Sequence, residues 1–383
     1  MNTVLRHWKE AATLILAAEH RLGADTLLSV RSRNSQLPPC SSFNYRVLML
    51  KRSGRSGFMP NAYVFPGGML DSSDFSSDWL GIFKTVGKSP SFGLRGVKQP
   101  METRPPIFAT DRLKLGSSIP GEVALRICAL RETFEESGVL LVVPKPEGGG
   151  GVINPPEDIS VCDPQLCSTE LSKWRTLVNQ NPSNFIRMCR ELEVMPNIWA
   201  LQEWGNWLTP EDRYGKSRFD TAFFICCLKE IPHTLQDERE IQHFQWSTPT
   251  DVLQSYQARE LWIAPPQFYE LSRLCRFPLL NDLHSFSCQR ATEGCEQWMP
   301  VLLPNGEHYI SLLPGDKLYP SDSSAKSESD ENAEPHLKEE SALHRVLLSD
   351  PYTMTLQVTI TPKYKHLLPV MESTSPKDSK SQL

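Results

Sequence analysis

No two of the ten cysteines are spaced Cys-x-x-Cys, and none is joined to a His-x3–5-His pair. That absence excludes a zinc ribbon, and reduced thiols in an intracellular compartment are expected rather than a disulfide framework. Basic charge is not in excess: 40 Lys and Arg face 45 Asp and Glu, a formal charge of −5. A partner held by a broad positive field, nucleic acid above all, is therefore not expected. No apolar run approaches the roughly 20 residues that cross a bilayer, so no membrane span is expected. The most apolar stretch near the start, Ala11 to Ala18, lacks the basic leader and small-residue cleavage site of a secretory signal and reads as a core strand. Internal repeats at a period of roughly 20–50 residues are missing too, which removes solenoids and propellers.

What remains is a chain of 383 residues with 39% hydrophobic content, enough to bury a sizeable core in one large domain or two of ordinary size. Apolar, β-branched or aromatic runs predict strands at Ala11 to Ala18, Tyr45 to Leu50, Ala62 to Phe65, Val139 to Val143 and Thr221 to Leu228. Helical spacing marks Gly121 to Ser137, where Gly138 follows as a stop signal, and then Pro164 to Leu208, Pro249 to Glu260 and Pro266 to Cys275. Trp174, Trp199, Trp204 and Trp207 are expected to pack the 164–208 helices onto the core, and this tryptophan-rich region is a candidate berth for an apolar ligand. Gly, Ser and Pro predict irregular loops at 87–120 and 144–157, with an acidic linker near 321–340 and a polar tail from 371. Strands and helices mixed in this order indicate an α/β or α+β layer fold.

The stretch RETFEESGV, Arg131 to Val139, carries the strongest chemistry. On a helix Glu132, Glu135 and Glu136 stand three and four residues apart and project to one side, where each like-charge pair costs roughly 0.2–0.5 kcal/mol. A solvated acidic face would tolerate that cost. A divalent cation would remove it, since hard Mg²⁺ prefers carboxylate, water and phosphate oxygens.

Arg131, the glutamates and Gly138, together with the upstream loop VFPGG at Val64 to Gly68, resemble the Nudix box GX5EX7REUXEEXGU, in which U is apolar. Only Thr133 departs from the second half of that pattern. In the first half, GX5E counted from Gly68 reaches Asp74 instead of a glutamate, and the arginine due eight residues later is Arg131. Counted back from Arg131, the Gly and Glu positions fall on Ser117 and Val123, so the box's first glutamate has no clear occupant. The reading is an insertion of about residues 72–120 inside the box, which a loop accepts because closure entropy grows slowly with length. An interrupted box, with AATLILAA, FMPNAYVFPGGMLDSSD, LTPEDRYGKSRFDTAFF and PKYKHLLP in order, resembles the acyl-coenzyme A diphosphatase branch of the Nudix family over most of the chain.

That resemblance implies a Nudix α/β/α sandwich with a mixed sheet, an insertion in the box and added helices. It places a Nudix domain at 8–258, with a helical addition at about 164–208. A helical or irregular extension at 259–320, a disordered acidic linker at 321–345 and a C-terminal segment at 346–383 would follow. It implies metal-dependent hydrolysis of coenzyme A and acyl-coenzyme A at the diphosphate, with Mg²⁺ or Mn²⁺ on Glu132, Glu135 and Glu136. Glu132 would orient or deprotonate the water, and Arg131 would fix the carboxylates. Glu240, in DEREIQHFQW, is a further candidate base, set against a plain surface-strand glutamate. Arg52 and Ser53 match a coenzyme A signature ahead of FPGG, whereas Gly57 and Asn61 depart from it, which leaves Arg55 as a substitute cation. Gly67 and Gly68 would let the backbone approach substrate and metal. The ending Ser381-Gln382-Leu383 resembles a peroxisomal address read by an import receptor; mitochondrial and cytosolic locations are the alternatives, and a monomer is expected. The rival functions are a Nudix hydrolase of NADH, ADP-ribose or capped RNA, and a catalytically silent Nudix-like binding module.

Overall fold

The computed structural model describes residues 8–20, 37–84, 86–87, 89, 91–145, 168–210, 218–235, 241–306, 308–320 and 342–370. In chain order they form β1 (Lys9–Glu19), β2 (Tyr45–Arg52), β3 (Ala62–Val64), β4 (Gly67–Met69), α1 (Trp79–Ile82), α2 (Pro106–Ala109) and α3 (Gly121–Ser137). Then come β5 (Val142–Pro144), α4 (Ser168–Gln180), α5 (Asn184–Glu191), β6 (Val194–Pro196), β7 (Gln202–Leu208), β8 (Phe219–Leu228) and β9 (Ile241–Ser247). The remainder is α6 (Pro249–Gln257), β10 (Trp262–Ile263), α7 (Pro265–Leu274), α8 (Leu280–Arg290), β11 (Gln297–Trp298), β12 (Val301–Asn305), β13 (His308–Leu312), β14 (His344–Asp350) and β15 (Thr353–Val358).

A strand made of Ala, Leu and Ile with no break in apolarity must be covered on both faces, and β1 is the middle of the main sheet. That sheet runs β10-β3-β2-β1-β8-β7-β11. β1 lies parallel to β8 from Lys9↔Phe219 to Ala18↔Leu228. Its other edge is shared: β4 pairs antiparallel with Ala11, Ala12 and Thr13, whereas β2 takes Ala17, Ala18 and Glu19. The glycine loop therefore enters the sheet at a fork. Ala12, Leu14, Leu16 and Ala18 face α3 and the helices beyond it. Ile15 and Ala17 face a second core that includes α6, α7 and α8. The result is the expected α/β/α sandwich on a mixed sheet.

Gly138, with φ 72°, ends α3 and donates its N–H to the Phe134 carbonyl. α3 is buried on nearly every side, with Phe92, Ile107, Phe108 and Ile119 of the insertion in the same core. Arg126 is buried against the main sheet, its guanidinium 4.8 Å from the Phe224 ring centroid and donating to the Leu201 carbonyl at 3.3 Å.

Three expectations need correction. Residues 87–120 are not a loose loop: Phe92, Ile107, Phe108 and Ile119 are buried in the α3 core, and Arg104 donates to both Glu203 carboxylate oxygens, at 3.1 and 2.7 Å. Apolar and ionic packing holds the segment, whose one helix among the described residues is the short α2. Residues 164–208 are not helical to the end, since β6 and β7 follow α5 and put Trp204 and Trp207 on a strand. Beyond residue 300 the extension is not irregular, since β12 to β15 form an antiparallel sheet in sequence order, whereas the acidic linker falls at 321–341, outside the described residues.

Asp220 is a buried carboxylate on β8, accepting from Asn206 Nδ2 at 2.6 Å and Gln297 Nε2 at 3.3 Å. Burial pushes its pKa up to about 6, against these hydrogen bonds, which pull it down. A folded-state pKa above the unfolded one means that stability present below the unfolded value is lost as pH rises through about 6. Asp220→Asn is therefore expected to raise stability at pH 7 by roughly 1–3 kcal/mol. In chemical denaturation the gain should fade below about pH 4; an equal gain at pH 4 and pH 7 would refute the assignment.

Candidate active site

The last two turns of α3 carry Arg131, Glu132, Glu135 and Glu136 toward the β4 loop. Arg131 is 2% exposed and uses its whole guanidinium. Nε and Nη2 donate to the two oxygens of Asp74, each at 2.9 Å, and Nη2 also reaches the Met69 carbonyl at 3.1 Å. Nη1 donates to Glu132 at 2.7 Å and Glu135 at 2.9 Å. Glu136 turns the other way and accepts from the Gly67 N–H at 2.9 Å.

Asp74 is the residue that GX5E from Gly68 reaches, and its pairing with Arg131 fits it to the box's first acidic position, with a side chain one methylene shorter than glutamate. It is 1% exposed at the start of the insertion, where it also accepts the Asp71 N–H at 2.9 Å and so caps a short 3₁₀ turn. In the sequence it differs from the pattern only in being an aspartate where a glutamate is expected. The long gap before Arg131 closes in space, because the rest of the insertion packs as a side lobe and returns.

The glycines are needed here for space. Gly67 has φ +153°, and a Cβ on it would lie 2.4 Å from the Ala12 carbonyl oxygen. A Cβ on Gly68 would sit 2.5 Å from the Glu132 carboxylate. Gly68→Ala should therefore displace Glu132 from Arg131 and cut turnover about tenfold or more, an estimate based on how sharply rate depends on catalytic geometry. Its melting temperature should stay near wild type; full activity would show that Glu132 needs no such fit.

One cavity of about 640 Å³ is lined by Glu132, Glu135, Glu136, Gly67, Gly68 and Arg131 at one end. Its floor is the face of the main sheet on which Ala11, Thr221 and Trp207 align across β1, β8 and β7. Small side chains on β1 leave the space open. Trp207 is fixed by Glu270, which accepts its indole N–H at 2.9 Å and that of Trp204 at 2.8 Å. Arg52 also lines the cavity, its guanidinium donating to Ser56 Oγ and the Phe58 carbonyl. Arg55 is exposed and stands outside that lining. Glu240 lies outside the described residues, as does Ser381-Gln382-Leu383. Of the tryptophans proposed as a ligand berth, Trp174, Trp199 and Trp204 are core residues and Trp207 alone lines this cavity.

Asp74, Glu132 and Glu135 share the Arg131 guanidinium, and Glu136 stands beside them on the Gly67 N–H. Burial first, and then the Glu132 charge, push Glu135 up to about 7. Among the described residues no three His, Cys, Asp or Glu side chains converge tightly enough to hold a metal ion. Arg131 draws in Glu132 and Glu135 while the Gly67 N–H holds Glu136 apart. The donor set nevertheless fits a hard divalent cation, being made of carboxylate oxygens.

Known proteins resemble the chain along most of its length. A family model described as the NUDT19 Nudix domain matches residues 8–274. The chain belongs to the NUDT19 family of Nudix hydrolases. The NUDT19 C-terminal domain model matches residues 302–359, the stretch that forms β12 to β15. Acyl-coenzyme A diphosphatase NUDT19 of Xenopus laevis is 49% identical, and that of Gallus gallus 46% identical, each over 100% of both chains. The Homo sapiens protein of that name is 40% identical over 94% of both chains. Nudix hydrolases generally use divalent metal cations, consistent with the excess of carboxylate beside Arg131. Among the described residues of this NUDT19-family chain, no helix is long and apolar enough to cross a membrane.

Proposed function

We propose that this chain hydrolyses the diphosphate of coenzyme A and acyl-coenzyme A, releasing adenosine 3′,5′-bisphosphate and (acyl-)4′-phosphopantetheine. The observation that carries the reading is that one cavity is lined both by the acidic end of α3 and by apolar side chains such as Phe223, Leu302 and Leu348. Such a shape suits a charged diphosphate attached to a long neutral tail. The names of the relatives of similar length support the same substrate.

Glu132, Glu135 and Glu136, with a carbonyl of the Gly67-Gly68 loop, are the groups that would hold Mg²⁺ or Mn²⁺. The cation, when bound, neutralises diphosphate charge and lowers the pKa of water. Glu132 orients the attacking water and accepts its proton. Water oxygen bonds to one phosphorus, the bridging P–O bond breaks, and the bridging oxygen leaves on the other phosphate. Arg131 is enclosed, so its part is to set the positions of Glu132 and Glu135. Arg52, in the cavity wall, supplies positive charge for the substrate's phosphates.

Product analysis after incubation with Mg²⁺ or Mn²⁺ tests the proposal. Adenosine 3′,5′-bisphosphate from palmitoyl-coenzyme A is the expected result. Preference for NADH, ADP-ribose or capped RNA, or turnover of none of them, would overturn it. Action as a monomer, without nucleic acid, belongs to the same proposal, as does a peroxisomal location reached through an import receptor that reads Ser381-Gln382-Leu383. A fluorescent fusion that keeps this tripeptide free should become diffuse in the cytosol when Leu383 is changed to Asp.

A further inference from the structure

We propose that the C-terminal sheet, β12 to β15, forms the wall against which the acyl chain of an acyl-coenzyme A lies. The inference rests on the acyl-coenzyme A reading above and adds where the chain binds and which part of the protein selects it.

The register supplies the argument. Across the four strands Leu302, Ser311, Val346 and Leu356 make one row, and Pro304, Tyr309, Leu348 and Met354 make another two residues along each strand. Residues two apart share a face, so both rows belong to one side of the sheet. Val346, Met354 and Leu356 are buried in the same core as α7 and seal that side to the Nudix body. Leu302 and Leu348 are only half-buried, and both line the cavity that begins at Glu132, Glu135 and Glu136. An apolar chain leaving the diphosphate thus runs over the sheet floor and meets a second apolar surface from a different domain.

That surface is fastened in place. Arg345 pairs with both oxygens of Asp316 at 2.7 and 2.5 Å, and Tyr269 on α7 meets His344 at 2.9 Å. Tyr256 of α6 and Trp262 of β10 both donate to the Pro351 carbonyl at 3.0 Å. A hydrocarbon chain makes no hydrogen bonds, so selection falls to buried area, where each methylene favours binding about fourfold.

The test measures kcat/KM of the full chain for unacylated coenzyme A and for palmitoyl-coenzyme A in wild type, Leu302→Glu and Leu348→Trp. Thermal melts confirm that each variant is folded, and binding of a fluorescent dodecanoic-acid probe is followed in parallel. The palmitoyl-to-coenzyme A ratio of kcat/KM should fall about tenfold, the worth of roughly two buried methylenes, with matching loss of probe binding. An unchanged ratio with wild-type probe binding in both variants overturns the proposal while leaving the coenzyme A reading intact. Should wild type cleave neither compound, that reading has failed and the probe alone decides: binding lost in the variants supports the wall, binding retained overturns it.

Discussion

Replacing Asp74 by alanine is expected to lower stability by about 3–5 kcal/mol and the melting temperature by roughly 10 °C, the usual consequence of stranding one partner of a buried ion pair. Both members are nearly enclosed, Asp74 at 1% and Arg131 at 2% exposure, so water cannot take over the lost hydrogen bonds. Activity should fall with stability, because the same guanidinium holds Glu132 and Glu135. Asp74→Glu separates the two effects. It keeps the charge and extends the carboxylate by one methylene, so melting should recover most of the way. Turnover will report how closely Arg131 must be placed. A second separation comes from joint replacement of Asp74 by Leu and Arg131 by Met. Apolar substitution of a whole buried pair is often neutral for stability, yet Glu132 and Glu135 would then lack their common donor. A double variant that melts like wild type and still turns over normally would show that the Arg131 cluster has no part in the reaction.

Glu136→Gln should cost at least about 100-fold in kcat/KM, since changes one shell further from a metal already cost 10–100-fold. The amide keeps the size of the side chain, and its oxygen still accepts from the Gly67 N–H, so the fold should be unaffected. What it removes is one negative charge from the group of carboxylates gathered at Arg131 and the Gly67 N–H. Titration with Mn²⁺ in a calorimeter gives a readout apart from turnover: wild type should bind and Glu136→Gln should bind more weakly by a similar factor. Unaltered turnover and unaltered Mn²⁺ binding together would remove Glu136 from the metal site.

The sequence alone determined the parts of this protein that depend on neighbours along the chain. The spacing of Glu132, Glu135 and Glu136 is a property of one helix, and α3 runs from Gly121 to Ser137 as its apolar spacing and the Gly138 stop predict. The unbroken apolarity of Ala11 to Ala18 likewise sufficed for a strand covered on both faces, because burial on two sides admits few other side chains. Family membership was legible for the same reason, as the Nudix box is mostly a local pattern.

Tertiary structure decided what joins distant segments. Asp74 and Arg131 are 57 residues apart, and no periodicity links them; their pairing follows from the insertion packing beside α3 and closing back on itself. The insertion looked loose because it holds little regular structure, and its order comes from Phe92, Ile107, Phe108 and Ile119 entering a core built elsewhere. Trp207 read as helical while its neighbours along the chain were the only guide; pairing with Thr221 places it on a strand and in the cavity floor. Leu302 and Leu348 carry no motif at all. They become a wall of the active-site cavity because two strands far apart in sequence bring them to the same face, and apolar burial acts through space, without regard to distance along the chain.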